Sequence, residues 1–87
     1  RLIRKSKLIT LIFYTTVGCH LCEHAELVLQ EFAAQSGVPE FDLKEVDISA
    51  DAHLVELYGI RIPVVKNSAN EKEIGWPFGF EDIASLF

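Results

Sequence analysis

Apolar residues fill Leu8 to Tyr14 almost without a break, interrupted only by Thr10. β-Branched and aromatic side chains dominate the run, which suits a strand covered on both faces in the middle of an α/β sheet. Thr15 to Gly18 then read as a turn, with Gly18 admitting the chain to a helix without a Cβ clash. From Cys22 to about Gln35 the period changes. Leu21, Ala25, Val28, Leu29 and Phe32 recur at helical spacing and predict one buried stripe. Glu23, Glu26, Gln30 and Glu31 fall largely outside it, and Ser36-Gly37-Val38-Pro39 supplies the stop.

Phe41 to Val46 alternates apolar and polar residues through Phe41 and Leu43, with Val46 out of step, and reads as a second strand. Ser49 or Asp51 is placed to cap a short helix through Tyr58, with Leu54, Leu57 and Tyr58 inward and Gly59 closing it. Ile62 to Lys66 predicts a strand beginning at or beside Pro63. Asn67 to Asn70 is a turn that leads to a last strand around Lys72 to Gly75. Glu81 to Phe87 predicts a final helix, with acids in its first turn and Ile83, Leu86 and Phe87 inward. The order is β-α-β-α-β-β-α. The first two strands need a crossover helix and are therefore parallel, whereas the last two are joined by a turn and form a hairpin. The expected fold class is α/β, a four-stranded mixed sheet flanked by helices.

Composition narrows the class of partner. The chain has 87 residues, 49% hydrophobic and 24% charged, consistent with a single small domain over residues 1–87. Its net charge of −5 argues against nucleic acid and anionic membrane as main partners. Half of the eight basic residues (Arg1, Arg4, Lys5, Lys7) sit at the start, where they read as a solvated lead-in to the first strand or as a docking arm. No apolar run approaches the roughly 18 residues of a membrane span. No signal-peptide pattern precedes Thr15-Thr16. The two cysteines lie in a single motif, which does not resemble a secreted disulfide scaffold, so the cytoplasm is the expected location. The chain contains no methionine, which leaves room for a longer leader.

Those cysteines carry the chemistry. Cys19-His20-Leu21-Cys22 falls where the first strand gives way to the helix. Helix N-termini present unpaired N–H groups and the positive end of the macrodipole, so a thiol there ionises more readily. His20 adds a neighbouring cation when protonated. A second thiol one helical turn on can resolve the mixed disulfide that the first one forms. Cys19 is the expected nucleophile and Cys22 the resolving thiol. The bland alternative is a pair of inert buried cysteines. Metal binding is another: His20-Leu21-Cys22-Glu23-His24 matches the H-x-x-E-H pattern of some zinc enzymes. Those enzymes need a third ligand and a far larger body, and a Cys2His2 site within residues 19–24 is sterically cramped. C-type haem attachment requires His directly after the second cysteine, where Glu23 stands.

Tyr14-Thr15-Thr16-Val17-Gly18-Cys19-His20-Leu21-Cys22, then Tyr58-Gly59-Ile60-Arg61-Ile62-Pro63-Val64, resemble the thioredoxin superfamily, closest to the small glutaredoxin-like proteins. Gly75-Trp76-Pro77-Phe78-Gly79-Phe80 sits where glutaredoxins place a turn before the last helix, and the resemblance spans essentially the whole chain. It implies a thioredoxin-like fold and a cis Pro63 opposite the CxxC, since proline is the residue for which cis is cheap. It also implies that the Ile62 backbone is free to pair with a bound peptide or glutathione. Three positions depart from the family pattern. Phe13 stands where thioredoxins bury an acid, Thr16 stands where many glutaredoxins carry a cation, and the paired glycines before the last helix are absent. Arg61 is placed to supply the missing cation or to serve as a surface residue.

The resemblance thus implies a thiol–disulfide oxidoreductase with Cys19 and Cys22 catalytic, and His20, Arg61, Ile62, Pro63 and Trp76 are the expected substrate contacts. No bound cofactor and no metal are expected, with glutathione as a reductant or substrate. The partners are a disulfide-containing protein or glutathione and a thioredoxin-type reductase, acting on a monomer. The competing reading is a non-catalytic thioredoxin-fold binding or adaptor module that works through Trp76, Pro77, Phe78 and Phe80. Core packing under the last helix is the alternative role for those aromatics.

Overall fold

The computed structural model describes residues 8–87, and the basic cluster of Arg1, Arg4, Lys5 and Lys7 lies outside the described residues. Strand β1 (Ile9–Thr15) leads through a turn to helix α1 (His20–Ala33) and then to β2 (Phe41–Asp47). A single 3-10 turn (Ile48–Ala50) precedes α2 (Ala52–Tyr58), followed by β3 (Val64–Asn67), β4 (Glu73–Gly75) and α3 (Phe80–Ala84). The four strands lie in the order β2-β1-β3-β4. β1 and β2 run parallel, with Phe13 opposite Glu45 and Thr15 opposite Asp47. β3 is antiparallel to β1 and forms the expected hairpin with β4.

The apolar run in β1 is buried on both sides because it occupies the interior of the sheet. Leu11 and Phe13 join Val65, the Cys22-Ala25-Leu29-Phe32 stripe of α1, and Phe78, Ile83 and Leu86 in one core. Tyr14 and Val64 point the other way and pack with Ile48 and Tyr58. The period-2 alternation of a strand separates the two sets. Leu11, Phe13, Leu29 and Ile83 are each at most 1% exposed, and burial of such side chains is worth roughly 1.5–3 kcal/mol apiece. The Tyr14 and Tyr58 rings stack with centroids 4.2 Å apart, so both tyrosines serve packing.

Two leucines expected inside lie outside. Leu21 is 50% exposed and Leu57 is 47% exposed. Adjacent helical residues are about 100° apart around the axis, so the buried Cys22 and Tyr58 displace their neighbours Leu21 and Leu57 toward solvent. Leu43 is 39% exposed because β2 is an edge strand.

Local chemistry fixes the ends of the elements. Asp51 caps α2, its Oδ1 accepting from the N–H groups of His53 at 2.9 Å and Leu54 at 3.3 Å. Ser49 lies instead within the 3-10 turn, its own N–H donated to Asp47 Oδ1 at 2.9 Å. α3 begins one residue before Glu81, and its Asp82 Oδ2 accepts from Gly79 N–H at 2.9 Å. The helix ends at Ala84, and Leu86 remains buried beyond it. The buried Asn67 donates to Leu86 O at 2.7 Å and ties β3 to this C-terminal segment. Gly18 has φ +80° with open space where a Cβ would stand, so the left-handed backbone rather than crowding requires glycine there. Gly59 is the reverse case. Its φ is helical, but a Cβ would lie 2.5 Å from Val55 O.

Among the described residues, no helix is long and apolar enough to cross a membrane.

Candidate redox site

Cys19 is the N-cap of α1, with an extended backbone that no longer belongs to β1. Its Sγ accepts the N–H of Cys22 at 3.1 Å, taking the place that a serine or aspartate oxygen fills in an ordinary cap. The two cysteines are joined as a disulfide, their Cα atoms 5.2 Å apart. Cys22 is 4% exposed and lies in the α1 core with Phe13 and Phe78, whereas Cys19 is half-buried at the rim of the same core. One sulfur of the pair is therefore within reach of solvent and the other is sheltered.

The neighbouring residues divide into those that surround the pair and those that do not. His20 is 90% exposed in its side chain, and its Nδ1 lies 3.9 Å from Glu23 Oε1. It is turned to solvent, as is His24. Pro63 is fully buried, and the Ile62–Pro63 and Trp76–Pro77 peptide bonds are both cis. Pro63 O accepts from Trp76 N–H at 3.1 Å, which binds the two proline turns together. Ile62 packs partly against both cores. Its N–H is donated to Tyr58 O at 3.0 Å. Of its two backbone polar groups, only the carbonyl is left to pair with a partner, which narrows the free backbone that the resemblance implied.

Arg61 is engaged within the chain. Its guanidinium Nη2 sits 2.7 Å from Glu73 Oε1 and 5.1 Å from the centre of the Tyr58 ring. The Tyr58 hydroxyl donates to the other Glu73 oxygen at 2.5 Å. Burial opposes ionisation of Glu73, but the Tyr58 hydroxyl and the Arg61 guanidinium together hold its carboxyl below the usual carboxylate range. Burial, and then the same Glu73, push the Tyr58 hydroxyl upward. The motif residues gave no sign of this trio, because Glu73 is 12 positions from Arg61 and only the β3–β4 hairpin brings it back.

Trp76 is half-buried and meets Phe78 edge-on at 5.1 Å. Phe78 is buried in the core beside Cys22, and Phe80 is 40% exposed, edge-on to Phe32 at 5.7 Å. Of Trp76, Pro77, Phe78 and Phe80, only Phe78 is buried; Trp76 is half-buried, and Pro77 and Phe80 are exposed.

An open cleft of about 190 Å³ lies against the disulfide. It is lined by residues 15–19 of the turn, by Cys22, Glu23 and Glu26 of α1, and by Glu45 of β2. Glu26, Glu45 and Thr15 were not among the expected site residues. Glu26 was legible in principle, being four residues after Cys22 and therefore on nearly the same helix face. Glu45 depends on the β1–β2 register, which the sequence does not print.

Residues 10–87 match the family described as glutaredoxin-like domain. The chain belongs to the glutaredoxin-like domain family. Among solved structures, a crystal structure of a protein from X. campestris is 31% identical, with 86% of this chain and 91% of that one covered and a TM-score of 0.70. A solution structure of a protein from Nitrosomonas europaea is 27% identical over 97% of this chain and 96% of that one, with a TM-score of 0.75. Thioredoxin 1 of Thermosipho africanus shares the fold at a TM-score of 0.60 and 14% identity, with 88% of each chain covered. No curated protein matches the chain. With its family and these neighbours, this glutaredoxin-like chain is a member of the thioredoxin superfamily, as its motifs implied.

Proposed function

We propose that the chain is a thiol–disulfide oxidoreductase in which Cys19 attacks and Cys22 resolves. The observation that carries this reading is the asymmetry of the pair. Cys19 is half-buried at the helix start, where it accepts the Cys22 N–H, and Cys22 is buried one turn behind it. A donor aimed at sulfur favours thiolate over thiol, and the thiolate is the attacking species.

In the reducing direction, the Cys19 thiolate displaces one thiolate from the substrate disulfide and forms a mixed disulfide. Cys22, as thiolate, then attacks Cys19 Sγ, releases the second substrate thiolate and closes the Cys19–Cys22 bond. Two electrons pass from the protein dithiol to the substrate, and the released thiolates take up protons. An external thiol or dithiol, with glutathione or a thioredoxin-type reductase as the expected donors, returns the protein to the dithiol. With its N–H held by Tyr58 O, Ile62 has its carbonyl left for a substrate N–H, and Trp76 borders the Pro63 turn through its hydrogen bond to Pro63 O. Arg61, paired with Glu73, is better suited to bracing the turn than to meeting an anionic partner. A small protein of this kind acts without a bound cofactor, as a monomer in the cytoplasm.

Reduction of hydroxyethyl disulfide and of insulin tests the proposal. Wild type is expected to turn over both, and Cys19→Ser is expected to turn over neither. Equal rates for the two proteins would leave the non-catalytic binding module as the better account.

A further inference from the structure

The cleft beside the disulfide is acidic. Glu23 and Glu26 on α1 and Glu45 on β2 line it together with both cysteines, and no lysine or arginine does. Among the described residues, none of the three carboxylates is paired with a lysine or arginine; the one nearby ion-pair candidate is His20 at 3.9 Å from Glu23. Thr15 supplies a second, independent feature. It is 6% exposed and lines the cleft, and no side-chain hydrogen bond engages its hydroxyl among the described residues. Thr15 shares the strand face of Leu11 and Phe13, which is the α1 side of β1. Its unengaged hydroxyl is not sealed from solvent and belongs to the same cleft lining as Glu23, Glu26, Glu45 and both cysteines.

We propose that this cleft receives a cationic side chain, lysine or arginine, adjoining the cysteine of a peptide or protein disulfide, and that the chain prefers such substrates to glutathione disulfide. The proposal deepens the oxidoreductase reading and rests on it. Size and charge both point this way. At about 190 Å³ the cleft falls below the roughly 300–1,000 Å³ of sites that enclose a small molecule, so it suits one side chain. Each half of glutathione disulfide carries more carboxylates than ammonium groups, and three unneutralised glutamates repel it. Thr16 occupies the turn, so no cation there offsets them. An ammonium or guanidinium entering the cleft donates to the Thr15 hydroxyl and is attracted by all three carboxylates. The protein's net charge of −5 adds long-range steering of the same sign.

The test uses two disulfide-linked peptide dimers, one with lysine on both sides of its cysteine and one with glutamate. Pre-reduced protein, freed of reductant, is mixed with each dimer at low ionic strength, and the rate constant is divided by that measured with dithiothreitol. This division removes the intrinsic reactivity of each peptide. The expected result is a preference for the lysine peptide of at least about tenfold, within the range of electrostatic steering. In 1 M salt, where the screening length is about 3 Å, most of that preference should vanish. The Glu26→Gln/Glu45→Gln variant should lower the lysine-to-glutamate ratio in the same direction, and the wild-type salt series stands by itself if the variant does not fold. Equal corrected rates for the two peptides, or a preference indifferent to salt, would overturn the substrate class while leaving the oxidoreductase reading in place. Reduction of neither peptide nor of hydroxyethyl disulfide would remove that reading, and this inference with it.

Discussion

At the scale of the residue, the Tyr58–Glu73–Arg61 trio is the clearest place where packing makes a chemical demand. Tyr58 is 3% exposed, so its hydroxyl needs the Glu73 acceptor that it has. Glu73→Ala leaves that hydroxyl unsatisfied and is expected to destabilise the fold by about 1–3 kcal/mol, read from urea denaturation midpoints. The pH dependence follows from the two shifts. Glu73 ionises more readily folded than unfolded, so its contribution is complete above its ordinary value of 4.5 and is lost as pH falls through the lower folded value. Tyr58 holds its proton more tightly when folded, so its contribution is complete below 10.0 and is lost as pH rises toward the raised folded value. Thermal unfolding of wild type and Glu73→Gln across pH checks both limbs, and the variant should lose the Glu73-dependent acid limb. The motif made Arg61 legible as a cation near Pro63, but its partner was hidden, since an ion pair across a hairpin has no local signature. Phe13 shows the opposite. Its identity was plain in the sequence, and the structure adds that it lies in the same core as Cys22.

At the scale of the element, local rules give checkable energies. Gly18 holds φ +80° at the entry to α1. Gly18→Ala should cost roughly 1–2 kcal/mol, the penalty for an L-residue in the left-handed region. Asp51 accepts two N–H groups at the start of α2, and Asp51→Ala should cost about 0.5–2 kcal/mol, with faster amide exchange confined to that helix. Element order and type were readable because β1 and α1 have strong periods of different length, and because Gly and Pro punctuate them. Side-chain direction was less readable in short helices. α2 has seven residues, so one misplaced position, Leu57, is a large part of its pattern. In α1 a cysteine counted as chemistry, Cys22, also holds a core position, and Leu21 gives way to it.

At the scale of the whole molecule, the sheet order decides what surrounds the thiols. β1 is interior and β2 is an edge, so the CxxC sits above a packed strand on one side and beside an exposed, acid-bearing strand on the other. The first half of that statement follows from the apolar run Leu8 to Tyr14. The second needs the register that sets Glu45 opposite Phe13, and no pattern in the sequence specifies register across a crossover. The fold and the paired cysteines were therefore legible, and the acidic cleft beside them was not. The most direct test of the account is mass spectrometry of the two single cysteine variants after reaction with a disulfide substrate. In Cys22→Ser, a mixed disulfide should accumulate on Cys19, because nothing remains to resolve it. In Cys19→Ser, the buried Cys22 should stay unmodified over the same time. Equal trapping on both cysteines, or trapping on Cys22 alone, would contradict the assignment of attacker and resolver.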